Sequence, residues 1–294
     1  MADSQYGKVS EGASGFIKPF SSNKYLQGST DFLQSNSLVA KFAFLILALI
    51  LFVVALRLGS GLLAWLFAPS HSPILINGMI NANQMMQIPQ DPRVPGAIPI
   101  LRSVNSTDGL EFTWSVWIFV DNFAYKETEY KHIFHKGNDG INMTNQPTGV
   151  NYPNNGPGLY ITPHTNNLSV IMSTFEDAKE EVLVKDLPLN KWVNVIIRVS
   201  KQNQLDIYIN GVLAKRHLLK SVPKQNYGDV FASMNGGFSG YTSALRYFNS
   251  ALGTSQIQSL VDQGPNEKML NGIDKNQTKP QYLSSRWYFS RTED

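Results

Sequence analysis

Residues 42–56 read FAFLILALILFVVAL, without a charge, a glycine or a proline. Crossing a hydrocarbon layer of about 30 Å takes about 20 helical residues, because lipid offers no partner to an open backbone. Leu38–Ala40 before the run and residues 58–68 after it extend the predicted membrane span to 38–68. Its two charges are Lys41 and Arg57. Lys41 reaches the headgroups along its own methylene stem. Arg57 does the same when the span is centred early, on 38–56, with Trp65 at the interface; in mid-membrane it would cost about 3 kcal/mol or more. The apolar stretch starts too late and runs too long for a cleaved leader. Lys8, Lys18, Lys24 and Lys41 come before the uncharged run 42–56, and after Arg57 the next Lys or Arg is Arg93. That asymmetry predicts a single-pass protein, its partner the lipid bilayer and its N-terminus cytoplasmic.

The rest of the 294 residues is of ordinary soluble composition. A net charge of +3 without long basic runs gives no electrostatic case for nucleic acid. Cysteine is absent, which excludes disulfides, thiolate metal sites and thiol nucleophiles. Residues 1–37, rich in Ser, Gly, Asn and Gln, predict a disordered polar tail. Pro73, Pro89, Pro92 and Pro95 make 69–97 a stiff predicted spacer, with room for a short strand at Ile74–Ile76. Asn105, Asn142, Asn167 and Asn276 each open an N-glycosylation triplet, a pattern common by chance in an Asn-rich chain.

From Ile98 onward the pattern is that of short strands. Glu111–Val120 is aromatic and β-branched, apolar on both faces in its second half, as for a strand between layers. His132–His135, Gly158–Thr162 and Asn167–Thr174 follow between Gly, Pro and Asn clusters. In Lys191–Ser200 the alternate set Val193, Val195, Ile197 and Val199 is wholly apolar and belongs to a core. Leu205–Ile209 runs through Asn210–Gly211 into Val212–Leu219. An Asn-Gly pair between two strand patterns is the strongest short-range hairpin signal. Val230–Ser233 and Tyr241–Phe248 complete the strands, and Thr254–Asp262 predicts one helix, capped by Thr254 and ended by Gly264–Pro265. Many short strands and one short helix predict an all-β, antiparallel β-sandwich.

The segment 191–219, KWVNVIIRVSKQNQLDIYINGVLAKRHLL, resembles the central hairpin of concanavalin A-like, LamG-type jelly rolls, with Tyr208, Asn210 and Gly211 at the turn. Gly240, Arg246, Tyr247, Phe248, Asn249, Ala251 and Leu252 resemble the closing signature of that fold. Phe112–Trp117 and His132–Gly137 resemble two of its early strands. The resemblance covers about residues 98–265 in order, and implies a jelly-roll domain there, a C-terminal extension at 266–294, and a lectin-like binding role. The wording IPILRSVNSTDGLEFTWSVW, HIFHKGN and NYGDVFASMNGGFSGY is most similar to membrane-anchored LamG-type proteins of large DNA viruses of algae and protists. It implies a virion membrane component that binds a glycan or a viral coat protein. The competing expectation is a cell-surface adhesion module.

The resemblance also raises hydrolysis, since the fold family contains glucanases. A retaining glycosidase needs two carboxyl groups about 5 Å apart, and its relatives carry E-x-D-x-E. Glu127-Thr-Glu129 and Glu176-Asp177…Glu180-Glu181 lack that pattern and read as solvated turn charges, so no catalytic residue is assigned. His132 and His135, three apart on a predicted strand, are expected on opposite faces and unable to share a metal. No cofactor is expected. Some LamG-type domains hold calcium in rim loops, for which Asn138, Asp139 and Asp229 are the ligand candidates; isolated Asp and Asn residues otherwise form turns. For a glycan, Trp114, Trp117 and Trp192 would stack only if exposed, core packing being the ordinary fate of each. Tyr227 and Tyr241 join Trp117 as binding candidates because loops carry function on rigid sandwiches.

Overall fold

A computed structural model describes residues 38–270 except 104, 108 and 144–147. The polar tail 1–37, the residues 271–294 and Asn276 lie outside the described residues. The chain divides into two units, 1–68 and 69–294.

The described part of the first unit is one helix, α1 (Leu38–Leu66), long and apolar enough to cross a membrane. At 1.5 Å per residue it is about 43 Å long. Its large apolar side chains, Phe44, Leu51, Phe52 and Trp65 among them, are exposed. Within it, Ser60 Oγ donates to the Arg57 carbonyl.

The second unit is built of strands β1 (Met79–Asn81), β2 (Met86–Ile88), β3 (Asn105–Ser106), β4 (Gly109–Leu110), β5 (Phe112–Asn122), β6 (Lys131–Gly137), β7 (Ile141–Asn142) and β8 (Val150–Asn151). There follow β9 (Gly158–Ile161), β10 (Leu168–Met172), β11 (Glu180–Val184), β12 (Trp192–Ser200), β13 (Gln204–Ile209), β14 (Val212–Leu218), β15 (Asp229–Ala232), β16 (Ser239–Phe248) and the helix α2 (Thr254–Gln263). Two antiparallel six-stranded sheets, ordered β1-β16-β5-β12-β13-β14 and β11-β10-β9-β6-β15-β2, form a sandwich.

Strand β5 explains itself from its residues. Phe112, Trp114, Val116, Ile118 and Val120 point into the core, and Trp114 is packed between Phe134 (5.3 Å) and Tyr247 (5.0 Å). Val193, Val195, Ile197 and Val199 of β12 sit in the same core, as their alternation predicts. The outer face of β12 is covered as well: Ile196 packs with Leu252, Ile257 and Leu260 under α2. Asn210 and Gly211 turn the β13–β14 hairpin with φ of 49° and 80°. Asn210 is held there by Oδ1, which accepts from the Asn194 amide at 2.8 Å.

Four expectations are corrected. The 69–97 segment is no detached spacer, since it supplies an edge strand to each sheet, with β1 on β16 and β2 on β15. Leu75, Ile76, Ile80, Ala82 and Ile88 are buried in the core, so apolar residues between the prolines carry the segment into the sandwich. Second, Glu180 is not a solvated turn charge. It opens β11, is buried, and accepts from the Lys220 amide at 3.0 Å with His217 Nε2 also 3.0 Å away. Glu181, pointing the other way, accepts from Ser169 Oγ and Tyr130 Oη. Third, the register of β6 on β9 shifts between His132 and Phe134. The extra residue of this bulge sends Ile133 and Phe134 together into the core and puts both histidines on one side, with His132 Nε2 2.6 Å from His135 Nδ1. Fourth, the cap of α2 is Gly253, whose amide donates to Gln256 Oε1, and Thr254 is already helical.

Candidate ligand-binding cleft

Between the two sheets, at one end of the sandwich, a cleft of about 360 Å³ reaches the core aromatics. Phe112 and Trp114 of β5 and Tyr247 of β16 form its apolar floor; Lys136 of β6 and Asp229 of β15 stand on its opposite wall. Segments 90–91, 100–103 and 224–227 make its rim. The size and the mixture of an apolar floor with a few placed polar groups are those of small-molecule sites.

The polar groups are fixed from behind. Asp229 accepts from Gln87 Nε2 at 2.8 Å and from the Gln90 amide at 2.9 Å. Gln90 Oε1 in turn accepts from the Ile100 amide, tying two rim segments together. Lys136 Nζ donates to the Gly228 carbonyl at 2.5 Å. Burial pulls its ammonium down to about 8, against the Asp229 charge, which holds it up. Asn226 Nδ2 donates to the Lys136 carbonyl and its Oδ1 accepts from the Gly228 amide. Tyr227, between these anchored residues, is 86% exposed at the lip.

Of the residues singled out from sequence, the cleft therefore brings together Tyr227, Asp229 and Trp114, the last buried in the floor. Both Asp229 oxygens are already engaged by Gln87 and Gln90. Asn138 uses its carbonyl to accept from Asn151 Nδ2, with His135 Nε2 2.9 Å away, and Asp139 is exposed. Among the described residues no three His, Asp or Glu side chains converge as a metal site would require. Tyr241 lies elsewhere, half-buried in an aromatic row across three strands, with Phe119 at 6.3 Å from it and Trp192 at 5.6 Å from Phe119. Trp192 Nε1 donates to Glu267. Trp117 is only 8% exposed and borders a second, separate cavity under α2. Gln90, Arg102, Lys136 and Asn226 carried no sequence signal, because they come from segments far apart in the chain and meet only in the folded sandwich.

Two antiparallel sheets packed face to face, joined by loops and open at one end, define a lectin-like jelly roll. Residues 97–258 match the concanavalin A-like lectin/glucanases superfamily, and the chain belongs to it. Among solved structures, the receptor-binding domain of botulinum neurotoxin D is similar at 10% identity and a TM-score of 0.46, over 65% of this chain and 48% of that one. The serotype D ligand-binding domain in complex with N-acetylneuraminic acid is similar at 10% identity and a TM-score of 0.45, over 66% and 46%. The C/D mosaic receptor-binding domain is similar at 14% identity and a TM-score of 0.41, over 54% and 37%. The chain thus spans less than half the length of these structures. No curated protein matches it in sequence.

Proposed function

We propose that this is a non-enzymatic, single-pass membrane protein whose jelly roll binds a glycan in the inter-sheet cleft. The observation that carries this reading is Tyr227, an almost fully exposed aromatic ring at the lip of a cleft floored by Trp114, Phe112 and Tyr247. Sugar rings offer an apolar C–H face and a rim of hydroxyls. An exposed ring beside anchored Gln90, Asn226, Lys136 and Asp229 side chains meets both. The carboxylates speak for binding rather than hydrolysis. Glu180 and Glu181 are neighbours on one strand with opposite directions, and Asp229 is occupied in holding the rim.

The test is a glycan array probed with the full chain in detergent micelles. Binding to a defined set of sugars, lost by about tenfold or more in Tyr227→Ala and kept in Tyr241→Ala, is the expected result. An array without any bound sugar would leave a purely architectural role for the domain. For the anchor, α1 is expected to hold the chain in the carbonate-resistant membrane fraction, and release into the soluble pool would refute that. We further propose, on the sequence resemblance to anchored proteins of large DNA viruses alone, that the protein is a component of a particle membrane and binds a glycan or coat protein. Mass spectrometry of purified particles tests this, and absence from them removes it.

A further inference from the structure

The inter-sheet cleft does not end at its rim. A second hollow, of about 460 Å³, adjoins it and shares Arg102, Leu110 and Gln225 with it as lining. Phe175, 69% exposed, lines this hollow and not the cleft, just as Tyr227 lines the cleft and not the hollow. The backbone under Phe175 is fixed. Its amide donates to the Val222 carbonyl at 3.2 Å, and Thr174 before it bridges to Pro223. The Lys224 amide donates to the Ser173 carbonyl at 2.7 Å, and Lys224 Nζ lies 5.9 Å from the centre of the Phe175 ring. At the shared lining, Gln225 Nε2 donates to Ser103 Oγ at 2.5 Å, which ties the 222–225 segment to the 100–103 segment.

The charges here are one-sided. Arg102, Lys136 and Lys224 line the cleft, and among the described residues none of the three is in an ion pair. Arg102 and Lys224 are exposed. The acids lining the cleft are Asp91 and Asp229, and both are taken: Asp91 by Arg93, Asp229 by Gln87 and Gln90. No Asp or Glu among the described residues lines the hollow; Glu176 lines neither, and Asp177 pairs with Lys220. Cations open to water and without carboxylate partners draw an anionic ligand. An exposed aromatic ring takes the apolar face of a sugar, and two such rings in adjoining depressions make two sugar positions. From this we infer that cleft and hollow form one extended groove for an acidic oligosaccharide. One sugar lies against Tyr227 and another against Phe175, with a carboxylate or sulfate group on Arg102 and Lys224. This rests on the glycan reading of the cleft, and adds to it a second subsite and the ligand's charge.

An array carrying the tetrasaccharides of hyaluronan, chondroitin sulfate and chitin, with the disaccharide of each, tests this when probed with the full chain in micelles. At least one acidic tetrasaccharide is expected to bind about tenfold or more tighter than neutral chitotetraose, as charged hydrogen bonds allow. That advantage should shrink as salt is raised. Phe175→Ala should weaken the acidic tetrasaccharide by about tenfold and its disaccharide far less, whereas Phe175→Trp keeps a ring and should keep the binding. Arg102→Gln combined with Lys224→Gln should erase the preference for acidic over neutral chains. All three positions are exposed, so these variants leave the fold intact, which an unchanged Tm verifies. Chitotetraose bound as tightly as the acidic chains, undiminished binding in Phe175→Ala, equal losses for tetrasaccharide and disaccharide, or a preference that survives the double variant would each overturn the inference and leave the glycan reading of the cleft standing. No sugar of any kind bound would remove both.

Discussion

His132 Nε2 lies 2.6 Å from His135 Nδ1, and the two rings, both fully buried, meet edge to face. Their neighbours fix the protons. The Met234 amide donates to His132 Nδ1, so His132 Nε2 carries the hydrogen and donates to His135 Nδ1; His135 Nε2 then donates to the Asn138 carbonyl. Every ring nitrogen is used once, and neither ring has a place for a second proton.

Acid should therefore unfold this domain through the pair. Burial, together with the neighbouring ring's charge, holds His132 well below its ordinary 6.5; burial brings His135 down to about 4. Depressed histidines are neutral in the fold and take up protons on unfolding. The stabilisation is complete above about pH 6.5 and is lost as pH falls toward 4, about 3 kcal/mol from His135 alone. Thermal melts from pH 7.5 to 4.5 should show a falling Tm, and His135→Gln should flatten the slope. A pH-independent Tm would contradict the proton chain.

Replacing Gly211 by Val should destabilise the domain by about 1–3 kcal/mol. Its φ of 80° disfavours a β-branched residue, and a Cβ there would come within 3.3 Å of Val261 and Gln258 on α2. Denaturant titration of the full chain reads the loss.

Ile76→Ala should cost about 2–5 kcal/mol, the range for emptying a buried aliphatic site. Val94, exposed in the same segment, should tolerate Ala within about 0.5 kcal/mol. Equal, small effects at both positions would restore the segment to a mere spacer.

Asp206→Asn should lower stability by about 1–3 kcal/mol. The carboxylate is fully buried and accepts from Arg198 (2.9 Å), Arg216 (2.6 Å) and Gln204 (3.0 Å). Burial raises it, but the hydrogen bonds of Arg216 and Gln204 and the two cations outweigh that and hold it below the ordinary carboxylate range. The loss should be larger at pH 7 than in acid, because a carboxyl held below its ordinary range contributes stability that fades as pH falls from that range toward the native value.

Most strands from 112 to 248 were legible because they wrote their own two-residue alternation or their own turn: Val193–Val199 and Asn210–Gly211 are read without reference to anything else, whereas β7, β8 and β11 were not read. What stayed hidden depended on partners distant in sequence. The bulge at Ile133 is decided by the mismatch between β6 and β9, so period-two counting sent His132 and His135 apart. Glu180 looked solvated because its acceptor role is set by His217 and Lys220, about 40 residues on. Prolines masked the core residues of 74–88, whose burial depends on sheet edges formed by β15 and β16. The cleft was half visible: an exposed loop tyrosine can be guessed from its neighbours, whereas a floor made by Phe112, Trp114 and Tyr247 cannot.

Strand β14 closes one sheet as its outermost member, with Val212 and Leu218 exposed and Lys215 and Arg216 between them. Its outer backbone edge, unpaired among the described residues, is a template on which a second copy could add a strand, and cations on such an edge make that addition unfavourable. Under the proposed anchoring, chains confined to a surface would meet far more often than in free solution, and the two charges would then act as spacers within the layer. Neutralising both is a change whose effect would be seen in crowding, as lateral clustering, before it was seen in folding.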